Sequence, residues 1–513
     1  YLSRTSITLI CLTSNISRRK FLGLTGAALG LGAAGYYGLN TLSKPEDTFT
    51  PPDSNVLGDR YTRLAVPKNP QNYLPESYLE FIKWLESISD KTAGTQIRCA
   101  IEAEVGPRAL HRNKIDFMST TGLDLLLEFD IYRNNLSKCL LAISTQSSLY
   151  DVMNVDVSQV GRFAPHIIPV EELMERFPEL TYPGLNPSDF EKPVVDFTCT
   201  YPPNLSYDPW NVEFNGKLMQ YPQEVPLMIR FFRKDLYDES GREVSNTWDE
   251  YLDDCKHFNH PSRAEFGTVQ MSAKFPSIIM EFHNWLYSFG GKLWDIQKDG
   301  TITPVINSDA ALTALEHYIE VSKYAEPNSP FYGWGPAAES MAQQRAATCI
   351  NLTEFASMMD IPGESYVVRK VGYARNPAGP SGSSHHYTGA GLAVARYSKN
   401  PGAAWVFIQW ATVAATQLIV AMDPLALSVP TRRSVYEDSH VKDLIDEGTI
   451  RHFDTVFDAI DKGELNVKPG FPDWDFIEGE MLTQLNLAVR GQILSLIHIS
   501  EPTRRYAISY AGV

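Results

Sequence analysis

Short strand-like runs that alternate with amphipathic helical stretches predict an α/β fold class. The chain's 513 residues are too many for one ordinary core, which adds a second domain to the expectation. Hydrophobic residues make up 43% and charged residues 21%, the composition of a folded soluble protein. With 45 basic against 61 acidic residues the formal net charge is -16. That balance argues against a nucleic-acid partner, because neutralising phosphates takes clustered Lys and Arg.

The elements follow in chain order. Pro75 to Ser89 (PESYLEFIKWLESIS) places Leu79, Ile82, Leu85 and Ile88 at helical spacing, with Pro75 suited to a first turn. TQIRCAIEAE then alternates as a strand, a helix is expected over about 107–120, and GLDLLLEFDIY reads as a second strand. Further helices are expected over 247–257, 308–324, 337–347 and 401–414. Asp295–Gly300 (DIQKDG) resembles the start of a calcium loop, but position 306 is Ile where the bidentate acid belongs. A hairpin through Asp299-Gly300 is the better reading.

The two ends do not read as fold. Ser17-Arg18-Arg19-Lys20-Phe21-Leu22 precedes an uncharged, Gly/Ala-rich stretch, the order of an export signal. The paired arginines followed by Phe-Leu resemble a twin-arginine signal. A transmembrane anchor is the competing reading, since the stretch from Phe21 to Leu39 is long enough to span a bilayer. Gly30, Gly32 and Gly35 spell the dinucleotide fingerprint G-x-G-x-x-G, but no strand precedes them and it is rejected. Residues 1–42 are therefore flanking sequence and signal, and 43–94 a Pro/Asp/Asn/Ser-rich tether plus the leading helix. From Leu494 the run LSLIHISEPTRRYAISYAGV resembles translated sequencing-adapter read-through, so 493–513 is expected to be a non-native tail.

Six scattered cysteines (11, 99, 139, 199, 255 and 349) make no C-x-x-C pair, which argues against a disulfide scaffold or zinc; buried free thiols are preferred for most, with one or two disulfides the open alternative in an exported protein. His385-His386 invites a metal reading, but adjacent residues of an extended strand point to opposite faces. No metal and no cofactor are expected. No phosphate-binding loop G-x-x-x-x-G-K-[ST] and no G-x-S-x-G occur.

Read in order, LYDVMNVD (149–156), Phe163–Leu173, Asn215–Pro222 with FRKDLYD (232–238), TWDE (247–250), LYSFGGKLWD (286–295), Met341–Asn351, YSKNPGAAWVFIQW (397–410) and Phe471–Gly491 form a series. The series resembles the family 1 extracellular solute-binding proteins, the group that includes maltose-binding protein. His166-Ile167, Arg233 and Gln344-Arg345 depart from the family pattern. The resemblance implies a two-lobed periplasmic-binding-protein fold, type II-like, with lobes joined by crossing hinge strands. Lobe I is expected over 95–222 plus 388–432 and lobe II over 223–387 plus 433–491. It further implies a monomeric, exported capture protein of an ABC importer, with a sugar or polyol as ligand and a membrane permease as partner. Sensing for a membrane receptor, or a secreted carbohydrate-active enzyme, are the competing readings.

A sugar offers apolar faces and hydroxyl edges, so aromatic rings with carboxylates and amides are the residues sought. On lobe I the candidates are Glu104 and Arg108 after the first strand, Asp156 after an aligned strand, and Gln223 and Glu224 after the Pro222 crossing. On lobe II they are Phe355, after the strand ending at Asn351, and Trp474, the favoured stacking residue. Tyr387 and Gly389 mark the return to lobe I, where Gly lets backbone approach a ligand. For Glu104 and Arg108 a solvated helix-start pair is the plain alternative, for Asp156 helix capping, and for Trp474 packing. Trp210, Trp285, Trp294 and Trp334 are read as structural.

Overall fold

A computed structural model describes residues 76–201, 216–296, 302–470 and 474–492. The signal, the tether, the tail and Phe471 to Asp473 lie outside the described residues. The strands of the two main sheets and their crossings are, in chain order, β1 (Gln96–Glu102), β2 (Asp124–Asp130), β3 (Val152–Asp156), β4 (Ile167–Ile168) and β5 (Tyr221–Pro222). There follow β6 (Met228–Arg233), β7 (Phe266–Thr268), β8 (Ala346–Leu352) and β9 (Val371–Ala374). The last are β10 (His385–Tyr387), β11 (Ala390–Ala395) and β12 (Leu465–Val467).

Sheet I has the order β2-β1-β3-β11-β4, with β5 also paired to β11. β1 runs parallel to β2 and β3, and β11 antiparallel to β3. Sheet II has the order β9-β6-β8-β7, with β8 antiparallel to β6 and parallel to β7. Every residue of β6 and β8 is buried, as expected of strands covered on both faces. The hairpin expected around 295–300 is present as antiparallel Trp294–Ile296 and Ile302–Pro304; its turn lies outside the described residues.

The helices begin with α1 (Glu76–Ser87), whose buried Phe81 packs edge-on to Tyr182 with centroids 5.0 Å apart. α2 (Val105–Thr121) follows β1 and ends at Gly122, in the left-handed region at φ 67°. α3 (Trp248–His257) starts with a capping box: Thr247 accepts from the Glu250 amide, and the Glu250 carboxylate accepts from the Thr247 amide. α4 (Asp309–Ser322) is capped by Ser308. α5 (Trp334–Ala342) starts and stops before the expected 337–347. Pro336 lies in its first turn, where no amide is needed, and Gln344 at φ 53° ends the helical path so that β8 begins at Ala346. The helix expected over 401–414 stops at Thr412 as α6 (Pro401–Thr412) and resumes as α7 (Ala414–Met422), bent by 52°. α8 (Trp474–Val489) is the last.

Each sheet has its own apolar core. Phe117, Trp405, Phe407 and Trp410 gather on sheet I; Trp248, Trp285, Tyr318 and Leu485 gather on sheet II, with Trp248 and Trp285 stacked at 3.7 Å. α7, within the segment expected for lobe I, serves both: Val420 packs with sheet I, while Leu418, Ala421 and Met422 pack with sheet II. Three segments run side by side where the sheets meet. The Val225 amide donates to Val429 O at 3.1 Å, and the Thr388 amide to Pro226 O at 3.1 Å. The five described cysteines are buried free thiols. Among the described residues no single helix is long and apolar enough to cross a membrane.

Candidate functional site

Acidic and aromatic side chains from both sheets converge beside the crossings. Glu102 closes β1, and the strand period puts Glu104 on the same side. Glu104 holds the N-cap position of α2 in extended backbone, yet its side chain makes no capping bond. One carboxylate oxygen each from Glu104, Glu224 of the crossing and Glu354 after β8 lie within 4.8 Å of one another. Glu224 is 2% exposed and accepts from Ser428 Oγ at 2.7 Å. The approach requires Gly106, where a Cβ would stand 2.7 Å from Glu224 Oε2.

Burial, then the neighbouring Glu224, pushes the Glu354 carboxyl up to about 8. Burial followed by Glu102, Glu224 and Glu354 pushes Glu104 well above the usual carboxylate range. Glu102 is raised too, by burial and then by Glu354, Asp156 and Glu224, with Lys468 opposing. Like charges crowd together here, with Glu224 buried and Glu102, Glu104 and Glu354 partly buried.

Next to the triad lies a paired arrangement. Lys468, just after β12, is fully buried, with Nζ 3.4 Å from Glu478 Oε1 and 3.7 Å from Asp156 Oδ1. Burial lowers its ammonium pKa, but Asp156 and Glu478 outweigh that and raise it. Nζ also stands 6.0 Å over the Tyr132 ring. The two halves close on each other here. Gln159 and Arg162 each donate to Asp475 of α8 at 2.5 Å, and Tyr132 meets Trp334 edge-on at 6.0 Å. Trp334, read from sequence as structural, therefore stands on the contact between halves.

The structure brings Glu104, Asp156 and Glu224 to this cleft and distributes the other candidates around it. Asp156 also caps the turn after β3, accepting from the Ser158 amide at 2.9 Å. Gln223 turns to Asn154, which donates to it at 3.3 Å. Phe355 is half-buried against the sheet II core. Arg108 is exposed, bonded to Ala103 O at 3.2 Å and lying over Phe129. Tyr387 is a buried strut whose hydroxyl donates to Glu224 O at 3.3 Å. Gly389 has φ 125°, but the Pro226 ring occupies the space beside it, 2.9 Å from where a Cβ would be. Crossing geometry, not an approaching ligand, sets that glycine. Trp474 is 1% exposed, edge-on to Trp294 at 6.4 Å, and its indole N–H has no acceptor.

Sequence reasoning missed Glu102, Tyr132, Glu354, Lys468 and Glu478. Strand alternation with Glu104 was a usable signal for Glu102; Lys468 lies in Asn-Val-Lys-Pro-Gly, which carries no pattern of its own. His385 and His386 are buried in β10, on Met228 O (2.9 Å) and Asn466 Oδ1 (2.7 Å). Burial pulls them down to about 4 and about 3, so both stay neutral at ordinary pH.

An α/β chain with two sheets, three crossings and polar groups converging between the halves defines a two-lobed binding protein. The chain belongs to the bacterial extracellular solute-binding protein family, whose model matches residues 140–418. An erythritol/L-threitol-binding protein of Mycolicibacterium smegmatis is 24% identical over 231 residues. The match takes in 44% of this chain and 48% of the relative, so the chain spans about half the length of that curated protein. An ABC transporter solute-binding protein from Agrobacterium radiobacter K84, in complex with ribitol, aligns with TM-score 0.68 and 22% identity, covering 82% of this chain and 99% of that one. Maltose-bound MalE3 of T. maritima aligns with TM-score 0.67 and 19% identity, covering 81% and 100%. These likenesses show the two-lobed fold.

Proposed function

We propose that this protein is the capture component of an ABC importer, exported and monomeric, which closes on one small polyhydroxylated solute and hands it to a permease unchanged. The observation that carries the reading is the cleft itself: Glu102, Glu104 and Asp156 face Glu354 and Lys468 across the crossings, with Tyr132 and Trp334 beside them. Carboxylates accept from hydroxyls, an ammonium donates to them, and ring faces cover C–H surfaces. Family membership supports capture, and the erythritol, ribitol and maltose named for the relatives support a polyol or sugar.

The working site is Glu102, Glu104, Asp156, Glu224, Glu354 and Lys468, with Trp474 as the further candidate to test. Isothermal titration with erythritol, ribitol, mannitol and maltose tests the proposal. A Kd near ~1 μM for one of them, about -8 kcal/mol, is expected. The solute is then recovered and its mass checked. A consumed solute restores the enzyme reading; no binding by any of the four, nor by an amino sugar or amino polyol, ends this one.

A further inference from the structure

We propose that the Glu104, Glu224 and Glu354 triad is a cation subsite, and that the captured solute carries a primary ammonium group. The inference rests on the cleft being the capture site and narrows the class of solute. Three carboxylate oxygens gather within 4.8 Å of one another. A hydroxyl has one proton to give, whereas an ammonium has three, one for each converging oxygen.

A second observation points the same way. Glu224 is 98% buried, and its Oε1 has no donor; the buried Oε2 of Glu354 has none either. Among the described residues none of the three carboxylates ion-pairs with a Lys or Arg. The buried cation at hand, Lys468, is held by Asp156 and Glu478. The neighbouring Glu224 also helps to raise the Glu104 carboxyl. An ammonium between the three carboxylates supplies the missing positive charge.

The placement gives the charge a mechanical consequence. Glu104 stands at the N-cap of α2 beside sheet I, Glu354 lies in the turn after β8 of sheet II, and Glu224 sits on the crossing between them. Closing the lobes brings like charges together, so a cation at their centre favours the closed form. A divalent metal also takes carboxylate oxygens, but calcium requires six to eight and magnesium six ligands, against the three gathered here.

The test is isothermal titration of the full chain at pH 8 with matched pairs, D-glucosamine against D-glucose and D-glucamine against D-sorbitol, with calcium chloride as a separate arm. The expected result is that one amine binds at least about tenfold tighter than its hydroxyl parent, some 1.4 kcal/mol. Glu354→Gln and Glu104→Gln, each checked for an unaltered circular dichroism spectrum, should reduce that preference to below about threefold. If the hydroxyl parents, or erythritol, ribitol, mannitol or maltose, bind and the amines bind no tighter, capture stands and the cation subsite is overturned. Calcium binding without amine binding makes the triad a metal site and overturns the ammonium. If no probe binds, the reading of the cleft falls and this inference falls with it.

Discussion

Arg230, inside lobe II, and the acid triad in the cleft are both charges withdrawn from water, and they are treated in opposite ways. The Arg230 guanidinium, fully buried, donates to Asp254 Oδ2 and Ser245 O at 3.0 Å and to Thr348 Oγ1 at 3.2 Å, and also meets Ser245 Oγ and the Tyr237 hydroxyl. Asp254 accepts in addition from Arg242 Nε at 2.9 Å and from Tyr237 at 2.8 Å. Donors and acceptors come from within one lobe, so the charge is balanced whether the lobes are open or closed. The triad gathers three carboxylates from both sides of the crossing, with Ser428 donating to Glu224. The Arg230 charge is answered within its own half of the molecule, whereas among the described residues no Lys or Arg pairs with the triad.

The largest effect is expected where the charge is answered. Arg230→Met leaves Asp254 buried with only part of its donor set, and breaking such a pair typically costs about 3–5 kcal/mol. Urea unfolding should show that loss, while the folded fraction keeps its solute affinity. An affinity loss matching the stability loss would break the distinction. Lys468→Met comes next. It leaves Asp156 and Glu478 facing each other without a cation, and titration should show roughly 2–3 kcal/mol of lost affinity. A variant that melts lower but binds normally makes Lys468 a second Arg230.

How much of this the chain announced depended on distance along it. The strands β1 and β2 follow from period-two alternation, and α3 from its Thr-Trp-Asp-Glu start, because those signals are local. The start of α5 was misplaced because Pro336 reads as a breaker when it occupies a first turn, where no amide is missed. Glu104 and Glu224 were legible as residues following a strand and a proline crossing. Glu354 and Lys468 reach the same cleft from far along the sequence, and only the closed topology brings them in. For Glu354 the neighbouring Phe355 drew the expectation instead, though that ring packs on the core.

Trp474 separates packing from recognition at a smaller scale. Its ring is buried against Trp294 and its indole N–H lacks an acceptor, which a solute oxygen would supply if Trp474 takes part in recognition. Trp474→Phe keeps most of the ring and removes that donor. Affinity is expected to fall by about 1 kcal/mol, roughly fivefold. Unchanged affinity with a lower melting temperature makes Trp474 a core residue alone.

The smallest effect has the opposite sign, and its pH dependence identifies it. Glu354 is raised to about 8 in the folded protein by burial and Glu224, and Glu102 and Glu104 are raised beside it. An unfolded glutamate titrates near ~4.3, so between there and about 8 the folded state holds more protons than the unfolded one. Stability from these groups is therefore present below the unfolded value and lost as pH rises through the folded value. At Glu102 Asp156 adds to the repulsion and Lys468 opposes it; at Glu354 burial and then Glu224 set the upward direction. Glu354→Gln removes one ionisation from the cluster. Without solute, its melting temperature should match wild type near pH 4.5 and exceed it by roughly 1–3 °C at pH 8. Arg230→Met should show no such gain at pH 8, because its deficit rests on the lost bonds to Asp254, Ser245 and Thr348 and not on the crowded carboxylates. Two superimposable pH profiles for wild type and Glu354→Gln would mean the carboxylates are not crowded in solution. In that case the empty protein rests open, and the solute alone assembles the triad.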